Sequence, residues 1–241
     1  MDATNDPDKA TGDERATGGG IDEIGTRTFG PDAAAILATE HWSLLGSRAL
    51  IWNDATSRMT VFLSLLSAAI IALALLADAT GFGRQTNTLA LVLLPGVLFL
   101  GVTTHFRLVE INSEEVRIVL AMNRLRHAYL QIAPGLEPFF TTGHHDDERG
   151  LAASYLLAGT AGIRPWAQYF QATATTVATL DAALAATIAV LLMQKAEAPI
   201  AATTAAGAVA FLAVWGTLFS LQRRALDPIR RTTPRFPSPS D

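Results

Sequence analysis

Four stretches of this chain are too apolar, over too great a length, to sit comfortably in a water-soluble fold. A helix rising about 1.5 Å per residue needs about 20 predominantly apolar residues to cross a hydrocarbon core roughly 30 Å thick. Residues 59–77 (MTVFLSLLSAAIIALALLA), 88–104 (TLALVLLPGVLFLGVTT) and 200–221 (IAATTAAGAVAFLAVWGTLFSL) come close to or meet that length without a charge. Residues 176–193 (TVATLDAALAATIAVLLM) carry a single acid, Asp181. A buried helix of a soluble protein normally keeps one polar stripe, and these windows show none. The sequence therefore predicts an all-α, polytopic membrane protein with four transmembrane helices, the second kinked at Pro95-Gly96, where a backbone donor is missing.

Orientation follows from Lys and Arg in the short flanking segments. Only Arg84 lies between the first two windows and only Lys195 between the last two, whereas Arg48, Arg58, Arg107, Arg117, Arg124, Arg126, Arg164, Arg223 and Arg224 lie on the opposite side. Both termini and the central segment are expected in the cytoplasm, with the protein in a bacterial inner membrane. The opening MDATNDPDKATGDERATGGG lacks the basic start and apolar core of a cleaved signal, so residues 59–77 are expected to act as their own anchor. A net charge of −4, with no basic run interleaved with aromatics, argues against nucleic acid as a partner. The absence of cysteine excludes disulfides, iron–sulfur clusters and thiolate zinc sites.

Between the spans the chain divides by composition. Residues 1–31 are polar and Gly-rich and are expected to form a disordered acidic tail. Residues 32–134 comprise a cytoplasmic helix N-capped by Asp32 and carrying Ile36, Leu37, Leu44, Leu45, Ile51 and Trp52, then the first two spans, then a second cytoplasmic helix ended by Pro134. In that second helix Leu108, Ile111, Ile118, Met122, Leu125, Tyr129 and Ile132 recur at three- and four-residue steps, with Glu115 breaking the register. This seam predicts packing against the helix before the first span or against the same helix of a neighbouring subunit. Residues 135–171 form a cytoplasmic loop and an interfacial segment with Trp166, Tyr169 and Phe170, residues 172–221 a second hairpin, and 222–241 a basic, Pro-rich end suited to anionic lipid.

Few residues are chemically suggestive. Asp181 is the one ionisable side chain inside a span, and such a residue marks an ion path, a proton relay or a substrate contact unless it lies at the hydrated interface. With Thr176, Thr179 and Thr187 it forms the best candidate pore lining. His144, His145, Asp146, Asp147 and Glu148 are the densest group of ligand-type side chains, but adjacent ligands on one loop seldom converge, so a solvated acidic loop is the main reading, with a regulatory metal or a proton-sensing role through histidine titration near neutral pH as the alternative. Ala202, Ala206 and Ala210, beside Gly207, make a small-residue face for close helix packing. No phosphate loop, nucleophile elbow or dinucleotide fingerprint occurs, so neither enzyme activity nor a cofactor is expected.

The segments WSLLGSRALIWNDATSRM and FRLVEINSEEVRIVLAMNRLRHAYLQIAP around the first two spans give residues 33–134 a layout that resembles SLATT-type two-span domains. That resemblance implies an oligomeric pore. The wording of the same segments is also similar to a group of uncharacterised four-span actinobacterial membrane proteins. Together these readings lead to a homo-oligomeric, channel-like membrane protein as the expectation, with a non-conducting scaffold that binds a cytoplasmic partner as the alternative. A small-molecule transporter is disfavoured because the two hairpins share no inverted repeat.

Overall fold

A computed structural model of the chain describes residues 29–81, 83–155, 173–230 and 233–239. The expected disordered tail up to residue 28, and the stretch 156–172 with Arg164, Trp166, Tyr169 and Phe170, lie outside the described residues. The elements are α1 (Ala33–Thr80), α2 (Arg84–Ile132), a 3-10 turn (Pro134–Phe139), α3 (Glu148–Ser154), α4 (Thr173–Lys195) and α5 (Ile200–Arg230). The protein is all-α and polytopic, and α1, α2, α4 and α5 each hold a window long and apolar enough to cross a membrane.

The helices preceding and following the first two spans are not separate elements. With 48 and 49 residues, α1 and α2 are each about 72 Å long, more than twice the thickness of a hydrocarbon core. The hairpin they form therefore extends beyond the bilayer as a two-helix stalk. Asp32 occupies the N-cap position of α1, but its carboxylate caps nothing; only its carbonyl accepts the Ile36 amide, at 3.1 Å. α2 passes through Pro95 without interruption and stops at Ile132, where the Ala133 amide closes on the Tyr129 carbonyl and Pro134 cannot continue the ladder.

Heptad-like spacing explains how the hairpin packs. Leu37, His41, Leu44, Arg48, Ile51 and Ala55 recur at three- and four-residue steps on the half-buried face of the α1 stalk, and Phe62, Leu66 and Ala69 continue that face into the membrane part as buried side chains. On α2 the expected seam is turned largely inward: Leu108, Ile111 and Met122 are buried, Ile118, Leu125 and Tyr129 half-buried, and only Ile132 exposed. Glu115, the register break, is explained by the partner helix, because its Oε1 accepts Arg48 Nη2 at 3.0 Å and Trp52 Nε1 at 3.2 Å from α1. Arg107 reaches back to Asp54 at 3.2 Å, and Tyr129 stacks on His41 with ring centroids 6.0 Å apart. Polar clips across the stalk thus hold the two helices in one register.

α2 is the central element, packed on α1 along one side and on α4 and α5 along another. The α4–α5 hairpin closes tightest at Gly207, where an added methyl group would approach Val190 Cγ2 to 2.9 Å. Its buried face runs through Thr203, Gly207, Leu218 and Gln222, so the alanines at 202, 206 and 210 flank the contact half-buried. α5 continues past the expected end at residue 221 to Arg230, and residues 233–239 then return to the stalk.

Candidate functional site

Asp181 lies on the face of α4 that packs against α2, and its side chain is fully buried. A methyl group built on Gly101 of α2 would collide with its Oδ1 and lie 2.8 Å from Phe62 Cε2 of α1. The glycine is therefore what admits the carboxyl group, and the ring of Phe62 borders the same spot. Neither carboxyl oxygen has a hydrogen-bond partner among the described residues. An unpartnered carboxyl group shut away from water is costly to keep, so its presence at this depth calls for a reason beyond packing.

A polar layer lies closer to the stalk. His105 stands one helical turn beyond Gly101 on α2, about 6 Å along the axis, and is also fully buried. Its Nδ1 lies 2.9 Å from the Ala174 carbonyl at the start of α4. A carbonyl only accepts, so Nδ1 carries the proton; Nε2 has no hydrogen-bond partner of standard geometry among the described residues, although the Leu218 carbonyl of α5 lies near the ring. Next to it Thr175 of α4 and Gln222 of α5, both buried, exchange contacts of 3.3 and 3.4 Å. Between Gln222 and Asp181 the protomer interior thus offers a short succession of titratable and hydrogen-bonding groups enclosed by α2, α4 and α5. His105 and Gly101 escaped the sequence reading; the available signal was that both share the α2 face that would meet a packed α4.

The four candidate lining residues separate. Thr176, Thr179 and Thr187 are exposed along one side of α4, whereas Asp181 lies on the opposite, buried side. The hydroxyls of Thr179 and Thr187 donate to the carbonyls of Thr175 and Ala183, and Thr179 also accepts Trp215 Nε1 at 3.2 Å.

The loop holding His144, His145, Asp146 and Asp147 is not a solvated acidic loop. Buried Asn123 of α2 fixes it, donating to the carbonyls of His145 at 2.9 Å and Gly150 at 3.1 Å while accepting from Arg126 and Ser154. Asp146 accepts Arg124 Nε at 2.7 Å and the amides of Arg235 and Phe236 at 3.0 and 2.7 Å. Asp147 caps α3 through the Gly150 amide and also takes the Ser238 amide at 2.6 Å and hydroxyl at 2.9 Å. Burial alone would raise both carboxyl groups, but these donors, with Arg124 beside Asp146, hold them below the usual carboxylate range. Among the described residues no three His, Asp or Glu side chains converge on a common metal position. The two aspartates hold the C-terminal segment instead, the segment expected to run free toward lipid.

Beside the loop a shallow cavity of about 630 Å³ is lined by Glu137, Thr141, Thr142, His144, Arg149 and Ser238. Comparison with known protein families, with curated proteins and with solved structures finds no match for this chain, so its function is argued from the geometry above.

Proposed function

We propose that this chain is a homo-oligomeric, channel-like protein of a bacterial inner membrane, with its stalk and both termini in the cytoplasm, that passes protons along the α2–α4 seam of each protomer. The reading rests on one observation: Asp181 is fully buried within the span region with both carboxyl oxygens unpartnered. A structural acid in hydrocarbon recovers its desolvation cost from a cation or from donors, and among the described residues none stands beside this one. A carboxyl group that accepts and gives up a proton has a physical reason to be there, and the buried His105, one turn along α2 from the Gly101 that Asp181 packs against, supplies a second group able to do so. The reading moves the conducting path from a threonine-lined central axis into the protomer and involves no enzymatic step.

Reconstitution into liposomes holding an entrapped pH dye, with a potassium diffusion potential as driving force, tests it. Wild-type protein is expected to acidify or alkalinise the lumen according to the sign of the potential. Asp181→Asn, nearly isosteric but unable to exchange a proton, is expected to reduce the flux to the protein-free rate. Equal flux from the variant, or none from the wild type, refutes the proposal.

A second reading, a non-conducting scaffold, draws on a different observation. Ala38, Trp42, Leu45, Ala49 and Trp52 form a further three- and four-spaced stripe on the outer flank of the α1 stalk, with Trp42 72% and Trp52 56% exposed. In the favoured reading this stripe joins subunits. Trp42→Glu with Leu45→Glu is then expected to lower the particle mass in detergent by light scattering, whereas a wild-type protein already monomeric leaves the stripe to a cytoplasmic partner and supports the scaffold.

A further inference from the structure

Residues 233–239 lie against α2 and the loop before α3. The contact is specific in kind. The Asp146 amide donates to the Phe236 carbonyl at 3.2 Å, the Asp146 and Asp147 carboxylates collect three backbone amides and one hydroxyl of the segment, and Arg149 donates to the Pro239 carbonyl at 3.2 Å. Alternate prolines suit this arrangement, since Pro234, Pro237 and Pro239 have no amide to donate while Arg235, Phe236 and Ser238 present theirs to the acids. The Phe236 ring stacks on His127 with centroids 4.2 Å apart and planes 22° apart.

Around that ring three histidines gather from two elements. His144 and His145 have ring centroids 4.2 Å apart, and both lie near His127, at 6.4 and 5.9 Å. We propose that this surface is a proton-released peptide-binding site whose occupant is the chain's own Arg235–Ser238 segment, so that acidification detaches the C-terminal segment from the stalk. The Phe236 carbonyl lies 3.3 Å from His145 Nδ1, and the Phe236 ring covers His127 only while the segment is bound, so release returns water to His127 and admits a charge there. Charging two of the three imidazoles places like charges within about 6 Å in a partly buried setting.

The other charges facing the cluster do not cancel this. Arg124 is tied to Asp146, Arg235 enters with the segment, and Arg149 lies on α3. Asp146 and Asp147 are engaged by the donors already named, and Glu137 of the 3-10 turn acts on His144. Toward α1, His41 stacks on Tyr129 and Arg126 turns to Asn123. Burial first, then the neighbouring imidazoles, lower His127 and His144 below the ordinary value of about 6.5. Where detachment of the segment returns water to His127 and His144, the released state takes up protons first, so binding is complete above about pH 6.5 and weakens as pH falls below it, by up to about tenfold per unit for each of these two histidines.

The natural chain has no cysteine, so a single label is readily placed. Full-length Pro239→Cys, carrying a fluorophore in nanodiscs, reports attachment of the segment as steady-state anisotropy between pH 8 and 4.5. High anisotropy is expected at pH 8, falling below about pH 6.5 and before the Asp146 and Asp147 carboxylates, held below their usual range, take up protons. In this labelled background Asp146→Ala with Asp147→Ala is expected to read low at every pH. His127→Phe, His144→Asn, His145→Asn, which keeps an aromatic ring under Phe236 and an amide donor for its carbonyl, is expected to read high down to about pH 4.5. The proposal is overturned by anisotropy independent of pH in the otherwise wild-type chain, by the same midpoint in the triple-histidine variant, or by a double-aspartate variant that matches the parent at pH 8. Unchanged circular dichroism of each variant separates release from unfolding.

Discussion

Replacing Gly101 with Ala asks whether the Asp181 carboxyl group occupies the space that only a glycine leaves. In an exposed helix this change would stabilise by about 1 kcal/mol through helix propensity. Here the new methyl group would collide with Asp181 Oδ1, approach its Cγ to 2.7 Å and come within 2.8 Å of Phe62 Cε2. Phe62 and Asp181 are both fully buried, so neither has open space to move into. Overpacking of this kind costs roughly 1–3 kcal/mol, which leaves Gly101→Ala destabilising by about 0–2 kcal/mol. The more diagnostic quantity is the coupling. In an Asp181→Ala background the principal clash is gone, so the same substitution is expected to cost 1–3 kcal/mol less there than in the wild type. Reversible unfolding in mixed micelles with rising SDS, followed by tryptophan fluorescence, measures both. A stabilising Gly101→Ala in the wild-type background, or two substitutions that add to within about 0.5 kcal/mol, would show that α2 and α4 do not meet in this way.

Three further outcomes follow from the stalk and the loop. Glu115→Ala removes the acceptor shared by Arg48 and Trp52 and is expected to lower stability by about 1–3 kcal/mol in the same assay, with Glu115→Gln intermediate. Asn123→Ala strands the His145 and Gly150 carbonyls and is expected to increase amide hydrogen exchange across 143–154 while leaving α4 and α5 unchanged. Because the Asp146 and Asp147 carboxyl groups are held low, the stability that they contribute is present above about pH 4 and is lost as pH falls through their depressed values, so even the triple-histidine variant is expected to release its C-terminal segment in stronger acid.

Hydropathy alone determined the all-α polytopic architecture and the approximate positions of the four spans, because crossing hydrocarbon imposes a length and a composition that almost nothing else requires. The three- and four-residue spacing from Leu108 to Ile132 also marked a buried seam, since that period selects one side of a helix whatever the partner is. What the spacing left open was what faces the seam within the protomer: α1 runs beside α2 with His41 on Tyr129, and Glu115 became legible only once Arg48 and Trp52 stood opposite it. Rotation of α4 about its axis was likewise invisible in a span apolar on every side, so Asp181 and the three threonines looked like one lining until packing against Gly101 turned them to opposite sides. The capture of Phe236 and Ser238 by Asp146 and Asp147 joins residues about 90 positions apart through backbone amides. Every non-proline residue carries an amide donor, so no local pattern of side chains announces such a pairing, and only the folded chain specifies it.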